Sequence, residues 1–228
     1  MAALVPAAGR GERLAAGVPK ALHPLGGEPM LVHSVRTLAA AAVDLVVVAA
    51  PPGLVDPVRA MLQGLHVGAD LAVVEGGATR SESVRLALAV LPASVQVVLV
   101  HDAARPLVPG HLVDSVVAAV DAGAAAVVPG LPVTDTIKQV DGAEQVLSTL
   151  DRSVLRAIQT PQGFRREVLD SASGAVGIGG DATDDAGHVE RSGGRVLVVP
   201  GAAEAFKVTG PLDLVLAEAV LSRRVGAS

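Results

Sequence analysis

The feature that most constrains the fold is a repeated alternation of short apolar runs with longer helix-like segments. Each run is rich in valine and leucine and is followed by a turn that contains glycine or proline. Uninterrupted apolar runs of this length are typical of strands covered on both faces, as in a parallel sheet. The predicted strands are Ala2–Val5, Leu45–Ala50, Leu71–Val74, Val95–Val100 and Ala125–Val128, and the predicted helices span about 30–41, 54–63, 80–91 and 110–122. The alternation predicts an α/β fold with a doubly wound, mostly parallel sheet.

The alternation stops at about residues 131–160, where the sequence becomes polar and contains a turn at Asp141–Gly142. Two extended segments about that turn predict a β-hairpin that protrudes as an arm. An isolated hairpin is marginally stable in water, so a second subunit is a plausible surface for it to pack on. After the arm, a helix is predicted at 183–192, a strand at Arg195–Val199, a short strand at Phe206–Val208 and a helix at about 211–224. We expect one domain, residues 1–228, with the arm attached.

Composition excludes several classes of protein. Half of the 228 residues are apolar, but Phe164 and Phe206 are the only aromatic side chains, and the net charge is −5. Binding of single-stranded nucleic acid by base stacking needs aromatic platforms, and binding of the phosphate backbone needs a basic surface. The absence of cysteine excludes disulfides and thiolate chemistry. We expect no signal peptide, no membrane span and a cytoplasmic location, because the N-terminus lacks a basic region and no apolar stretch reaches about 20 residues.

A glycine-rich turn follows the first predicted strand. Gly9 and Gly11 lie in this turn, and Arg10, Arg13 and Lys20 supply positive charge. Glycines let the backbone approach a phosphate chain, so that successive amide groups can bind an anion. The spacing matches neither a P-loop nor a dinucleotide fingerprint. A flexible surface turn is the alternative, but the position directly after a strand favours phosphate binding.

Asp102 directly follows another apolar strand, where a carboxylate is costly unless it is paired or binds a cation. It could accept hydrogen bonds from ribose or substrate hydroxyls, help to hold Mg²⁺, or simply cap a loop. The neighbouring His101 has no nucleophilic serine or cysteine arrangement beside it, so we do not expect it to be a catalytic base. Asp181, Asp184 and Asp185 are interpreted as a solvated helix N-terminus.

Several motifs resemble those of one enzyme family. The turn, with a Pro-Lys pair after it, is similar to the signature loop of sugar-nucleotide pyrophosphorylases. The run His101-Asp102-Ala103-Ala104-Arg105-Pro106 resembles the 2-C-methyl-D-erythritol 4-phosphate cytidylyltransferases in particular. Further matches, in the expected order, are Gly76-Gly77 with Arg80 and Ser83, Asp135-Thr136-Ile137-Lys138, Asp151-Arg152, Gln159-Thr160-Pro161-Gln162, Thr183-Asp184-Asp185-Ala186 and Phe206-Lys207-Val208-Thr209.

The resemblance implies a Rossmann-like sheet of the nucleotide-diphospho-sugar transferase type and transfer of CMP from CTP to 2-C-methyl-D-erythritol 4-phosphate. It implies Mg²⁺, held partly by Asp102, and a homodimer in which the arm of one subunit completes the site of the other. The implied catalytic residues are Arg13, Lys20 and Lys207; the CTP-binding residues are Pro6, Ala7, Ala8, Gly9, Gly11, Gly76, Gly77, Ser83 and Asp102; the acceptor-binding residues are Arg105, Thr136, Arg152, Thr160 and Thr183. The chain departs from the family at Ala78, where an acidic residue is common.

Three alternatives remain open at this point. A cytidylyltransferase for ribitol 5-phosphate would share the fold and the mechanism, because a five-carbon polyol phosphate has a similar shape. An enzyme that acts on a sugar 1-phosphate agrees less well with the arm and the Asp102 motif. A noncatalytic nucleotide-binding module would not need Arg13, Lys20 and Lys207 together. A fusion with a following pathway enzyme is not expected, because the sequence stops soon after its last helix.

Overall fold

The computed structural model describes residues 1–9, 17–41, 43–174 and 184–225. Its strands are β1 (Ala2–Pro6), β2 (Pro24–Leu25), β3 (Glu28–Pro29), β4 (Leu45–Ala50), β5 (Asp70–Glu75), β6 (Val97–Val100), β7 (Ala126–Pro132), β8 (Lys138–Val140), β9 (Val146–Thr149), β10 (Arg156–Ile158), β11 (Gln162–Arg165) and β12 (Val196–Pro200). Its helices are α1 (Met30–Ala40), α2 (Val55–Gln63), α3 (Arg80–Ala89), α4 (Gly110–Asp121), α5 (Arg166–Gly174), α6 (Asp185–Arg191) and α7 (Pro211–Val225). The five strands and four helices predicted from the alternation are all present; β4 has the predicted bounds and the others have shifted ends.

Eight strands form the central sheet. The order is β5-β4-β1-β6-β11-β7-β12, and β10 pairs with β7 beyond the end of β11. The pairs β4–β5, β1–β4, β1–β6 and β7–β12 are parallel, whereas β11 and β10 run antiparallel to their neighbours. The mostly parallel α/β sheet expected from the sequence is therefore confirmed.

Helices cover both faces of the sheet, which is why its inner parallel strands β1, β4 and β6 are apolar throughout. Alternate strand residues point to opposite faces. Residues such as Val5, Val46 and Leu99 pack with α1, α2 and α4 on one face. Leu4 and Val47 are among those that pack with α3, α5 and α6 on the other face. Helix α7 packs on a smaller cluster with β2. Within the described residues, no helix combines the length and the apolar character that crossing a membrane requires.

A hairpin formed by β8 and β9 stands apart from the central sheet and forms a two-stranded sheet of its own. The turn predicted at Asp141–Gly142 joins its strands. Strand β10 pairs with β7 in the central sheet, so the predicted arm at about 131–160 is too long. The protruding part spans about 133–155, and we call this segment the arm.

The prediction was wrong at several other places. Strand β11 and helix α5 were not predicted, and neither was the small β2–β3 hairpin. The short strand expected at Phe206–Val208 is absent from the described structure, where the Val208 amide donates a single hydrogen bond to the Ala104 carbonyl at 2.8 Å. The predicted helix at 183–192 is α6, which begins at Asp185.

Candidate active site

The loops after β1, β5 and β6 leave the sheet at the same edge, because these strands run parallel. Backbone hydrogen bonds extend the pairing just beyond the strand ends. The Ala7 amide donates to the Ala49 carbonyl at 2.8 Å, and the His101 amide donates to the Leu4 carbonyl at 2.9 Å. Pro6 is the last residue of β1. The described start of the predicted phosphate-binding turn (residues 7–9), the glycine pair and the Asp102 loop therefore lie next to one another, at the edge where α/β folds bind ligands.

Gly76 lies against the turn after β1, in a space too small for a side chain. A Cβ atom there would be 2.6 Å from the Cβ of Ala8 and 3.1 Å from the Oγ of Ser83. The Ser83 hydroxyl is buried; it donates to the Thr79 carbonyl at 2.9 Å and accepts from the Gly77 amide at 3.1 Å. Ser83 thus stabilises the glycine loop through these two hydrogen bonds. Its contact with CTP stays a prediction. Near the same loop, Gly9 is exposed.

Asp102 is paired with two cations. Its Oδ1 accepts a hydrogen bond from Arg80 Nε at 2.9 Å, and its Oδ2 accepts one from Lys207 Nζ at 2.8 Å. Asp102 is buried, and burial on its own would raise the pKa of the carboxyl. The charges and hydrogen bonds of Arg80 and Lys207 outweigh that effect and hold the pKa of Asp102 well below its usual range. The cost of the buried carboxylate is thus offset by pairing, and it stays ionised at neutral pH.

Arg80 extends this charge network to α6. Its Nη1 donates to Asp185 Oδ2 at 2.7 Å, and Asp185 is only 3% exposed. Burial raises the pKa of the Asp185 carboxyl, and the nearby Arg80 charge opposes that rise. The solvated helix N-terminus expected here is therefore wrong for Asp185, whereas Asp184 is the helix cap, accepting from the Gly187 amide at 2.9 Å. Two carboxylates and two cations form a group with no net charge, which we call the Asp102 network: Arg80, Asp102, Asp185 and Lys207.

Both predicted catalytic lysines, Lys207 and Lys20, lie in or near the segment that leads into α7. The Lys207 side chain is 41% exposed, so its ammonium can still reach a ligand while it pairs with Asp102. Thr209 and Gly210 donate hydrogen bonds to Asp213, which lowers the pKa of that carboxyl, and the positive charge of Lys20 lowers it further. Lys20 therefore lies near the start of α7. That helix begins four residues after Lys207 in the sequence.

Arg105 and Thr160 are both tied to the protein interior. Arg105 donates from Nη1 to the Ala205 carbonyl at 2.7 Å and from Nη2 to the Ile158 carbonyl at 3.2 Å, while its buried Nε has no hydrogen-bond partner in the described structure. Thr160 is 4% exposed, and its oxygen accepts from the Asp102 amide at 3.0 Å. Both side chains hold the Asp102 loop in place. Their contact with an acceptor phosphate stays a prediction.

The arm carries two further predicted acceptor-binding residues. Thr136 and Arg152 are exposed, and the Arg152 guanidinium donates to the Thr134 carbonyl. Within the described ranges, no hydrogen bond or ion pair joins either residue to Asp102 or Lys207 of the same chain. The predicted acceptor pocket is therefore not assembled by these contacts within one chain.

Five residues named in the sequence analysis lie outside the described residues, in the segments 10–16 and 175–183. They are Arg10, Gly11, Arg13, Asp181 and Thr183. The predicted roles of Gly11, Arg13 and Thr183 stay predictions.

Asp102 is also the carboxylate predicted to help hold Mg²⁺. The part of the chain that the structure describes contains no group of three or more histidine, cysteine or acidic side chains arranged to hold a metal ion. Both oxygens of the Asp102 carboxylate already face cations, so most ligands of such an ion would come from nucleotide phosphates and water, as is common for Mg²⁺. The contact of Asp102 with Mg²⁺ stays a prediction.

Comparison with known proteins places this site in a family. The family described as 2-C-methyl-D-erythritol 4-phosphate cytidylyltransferase matches residues 1–223. The chain belongs to this family. A relative from Streptomyces coelicolor with that name is 57% identical over 98% of this chain and 85% of its own length. The crystal structure of a cytidylyltransferase of the same name from Thermus thermophilus is 38% identical, covers 96% of this chain and 97% of its own, and superimposes with a TM-score of 0.76. A 4-diphosphocytidyl-2C-methyl-D-erythritol synthase structure from Anaerococcus prevotii gives a TM-score of 0.84 at 25% identity, with 97% of both chains covered.

As a member of the cytidylyltransferase family, the chain is a nucleotidyltransferase. The sequence motifs identified Asp102 and Lys207 but gave no role to Arg80 or Asp185, which complete the network. One signal pointed to Arg80: a carboxylate placed directly after a buried strand needs a cation, and Arg80 begins the helix that follows the neighbouring glycine pair. No comparable signal pointed to Asp185, because burial of this residue depends on how α6 packs.

Proposed function

We propose that this chain transfers the cytidylyl group of CTP to 2-C-methyl-D-erythritol 4-phosphate in the non-mevalonate route to isoprenoid precursors. The products are 4-diphosphocytidyl-2-C-methyl-D-erythritol and pyrophosphate. The observation that carries the proposal is the full-length family match, together with the Asp102 network at the carboxyl ends of the strands. The network lies beside the glycine pair, and Lys207 is the more exposed of its two cations.

In the proposed reaction, an oxygen of the acceptor phosphate attacks the α-phosphorus of CTP. A new phosphorus–oxygen bond forms, and the bond from the α-phosphorus to the oxygen that bridges to the β-phosphate breaks. Pyrophosphate leaves with the electron pair of that bond. The protein performs no covalent step, so its contribution is to position the two substrates and to stabilise the negative charge of the transition state.

Lys20 and Lys207, with Arg13 from the turn after β1, would supply that stabilisation. Lysine and arginine keep their protons near neutral pH and match phosphate oxygens. Asp102 would orient Lys207 and, together with the nucleotide phosphates, hold Mg²⁺. When bound, Mg²⁺ would neutralise charge on the phosphates. The backbone of the turn after β1 and of the Gly76–Gly77 loop would hold the nucleotide.

The acceptor would be held by Arg105, Thr160 and Thr183 of one subunit and by Thr136 and Arg152 from the arm of a second copy. Support for a homodimer comes from the exposed apolar residues of the arm, among them Val146 and Leu147, which are 59% and 60% exposed. A second subunit would remove these side chains from water. We place the reaction in the cytoplasm, where nucleoside triphosphates are made.

A pyrophosphate-release assay tests the proposal. Purified protein would be given CTP and Mg²⁺ with 2-C-methyl-D-erythritol 4-phosphate, ribitol 5-phosphate or glucose 1-phosphate. We expect turnover with the first acceptor and a loss on the order of 10²–10³ in rate for Lys20→Ala. Arg59→Ala, which removes an exposed cation from α2, should keep the wild-type rate. Turnover with ribitol 5-phosphate alone would support the same mechanism with a different acceptor. No turnover with any acceptor would contradict an enzymatic function and favour a nucleotide-binding module.

A further inference from the structure

His101 is fully buried, and the proposed reaction gives it no role. Both ring nitrogens nevertheless have partners. Nδ1 lies 3.1 Å from Thr160 Oγ1, and Nε2 lies 3.2 Å from the Arg105 carbonyl oxygen. Thr160 in turn accepts from the Asp102 amide at 3.0 Å. A buried imidazole with both nitrogens in contact with one functional loop calls for an explanation beyond packing.

The direction of every hydrogen bond in this chain of contacts is determined. A carbonyl oxygen can only accept, so Nε2 of His101 carries the hydrogen. The Nδ1 of a neutral imidazole then has to accept, and the hydrogen comes from the Thr160 hydroxyl. The oxygen of that hydroxyl is left to accept from the Asp102 amide, which can only donate. Hydrogen bonds therefore run in one direction, from Asp102 through Thr160 and His101 to Arg105.

The chain of hydrogen bonds begins and ends in the same short loop. A turn hydrogen bond from the Arg105 amide to the Asp102 carbonyl, at 2.9 Å, closes the loop on its other side. The imidazole thus bridges the loop from within, because it binds the backbone of Arg105 directly and the backbone of Asp102 through Thr160. The loop carries the carboxylate of the Asp102 network at one end and the Arg105 guanidinium at the other.

We propose that His101, as its neutral Nε2–H tautomer, is a positioning residue that fixes Asp102 and Arg105 relative to each other. This inference rests on the proposed function for the roles of these two residues, with Asp102 on the nucleotide side and Arg105 on the acceptor side. The same arrangement directs the Thr160 hydrogen towards His101. Thr160 then has only a lone pair to offer a ligand, which suits an acceptor hydroxyl better than a phosphate oxygen.

Two substitutions separate the two halves of the bridge. His101→Asn places an amide oxygen near the position of Nδ1, so it can accept from Thr160 but cannot reach the Arg105 carbonyl. His101→Gln places an amide nitrogen near the position of Nε2, so it can donate to Arg105 but offers Thr160 no acceptor. We expect His101→Asn to raise KM for the acceptor about tenfold with KM for CTP nearly unchanged. His101→Gln should raise KM for CTP about tenfold and, because it frees the Thr160 hydroxyl, KM for the acceptor as well. His101→Leu should raise both.

A purely structural role for His101 would lower the melting temperature without an effect of His101→Asn on KM that is confined to the acceptor. Folded variants with wild-type KM values for both substrates would overturn the inference while leaving the proposed function intact. Nitrogen-15 NMR of the imidazoles in the wild-type protein, with the His101 ring assigned through its bonds to the backbone, supplies a measurement that needs neither activity nor a variant. The inference predicts a protonated Nε2 and a bare Nδ1 at neutral pH, and a protonated Nδ1 would contradict it even if no variant folds.

Discussion

The Asp102 network and the arm differ in almost every physical respect. The network is charged, largely buried and paired within one chain. The arm is a two-stranded hairpin whose apolar side chains, including Val146, Leu147 and Val154, are exposed. Buried charges are stable only when partners neutralise them, so the network has to be complete before a ligand arrives. Exposed apolar residues on a hairpin, by contrast, are not covered by their own chain, and they favour a surface that packs on another molecule.

This difference indicates which substrate each of the two regions would bind. The side that is proposed to bind CTP is preorganised by contacts within the subunit, which reduces the cost of orienting charges during the reaction. The side that is proposed to bind the acceptor depends on Thr136 and Arg152, which the described contacts do not connect to the Asp102 network. Assembly of two chains would then complete the acceptor pocket.

Removal of the more exposed cation of the network should have the largest effect. Lys207→Ala is expected to lower kcat/KM on the order of 10²–10³-fold, because a charge near the transferred phosphoryl group is lost. Steady-state pyrophosphate release measures this loss. Arg36→Ala, which removes a half-exposed cation that is paired with Glu28 and is not part of the Asp102 network, serves as the control and should stay near the wild-type value. Equal losses in the two variants would refute a specific role for Lys207.

The pH dependence of stability should show that His101 is buried. Burial lowers the pKa of His101 to about 4, below the value of about 6.5 in an unfolded chain. Between these pH values the unfolded chain binds the proton and the folded chain does not, so stability falls as pH decreases from 6.5 to 4. The loss should approach about 3 kcal/mol, at 1.36 kcal/mol per pKa unit.

Urea unfolding across this pH range measures the effect. His101→Asn should flatten the profile, and His111→Asn, which changes an exposed histidine on α4, should not. A wild-type profile in His101→Asn would show that His101 titrates normally.

A charge on the arm should have a smaller effect, and only on assembly. Leu147→Asp would place a carboxylate where an apolar side chain is proposed to pack on a second subunit, and we expect the dimer dissociation constant to rise about tenfold, equivalent to about 1.4 kcal/mol. Sedimentation at several protein concentrations measures the shift. Val90→Asp, at an exposed valine at the end of α3, should leave the constant unchanged. Equal dimer dissociation constants in the two variants would show that the arm does not lie in the dimer interface.

Much of the central sheet could be predicted because its inner parallel strands β1, β4 and β6 are covered on both faces and are therefore continuous apolar runs. Strand β11 lacks that signal: it reads Gln162-Gly163-Phe164-Arg165 and runs antiparallel to its neighbours. Gly163 is required there because a Cβ atom would be 2.6 Å from a methyl carbon of Val116 on α4. A requirement set by a helix far away in the sequence is not visible in the local pattern.

The site shows the same limit. Asp102 could be identified from sequence, because a carboxylate directly after an apolar strand is unusual by itself. Its partners could not be assigned, since Arg80 and Asp185 are 105 positions apart in the chain, as are Asp102 and Lys207. Such pairs form only when the sheet brings β6, α3 and α6 together. The hairpin was predictable from its turn, but the role proposed for its surface depends on a second chain.

Mixing two inactive variants tests the division of the site between chains most directly. Lys207→Ala removes the charge from the network, and Arg152→Ala removes a proposed acceptor contact from the arm, so each homodimer should be nearly inactive. After subunit exchange, verified by native mass spectrometry, each mixed dimer should contain one intact site, and activity should return to about a quarter of the wild-type value for random pairing of two chains. If mixed dimers form and activity does not return, each arm serves the site of its own chain and the account is wrong.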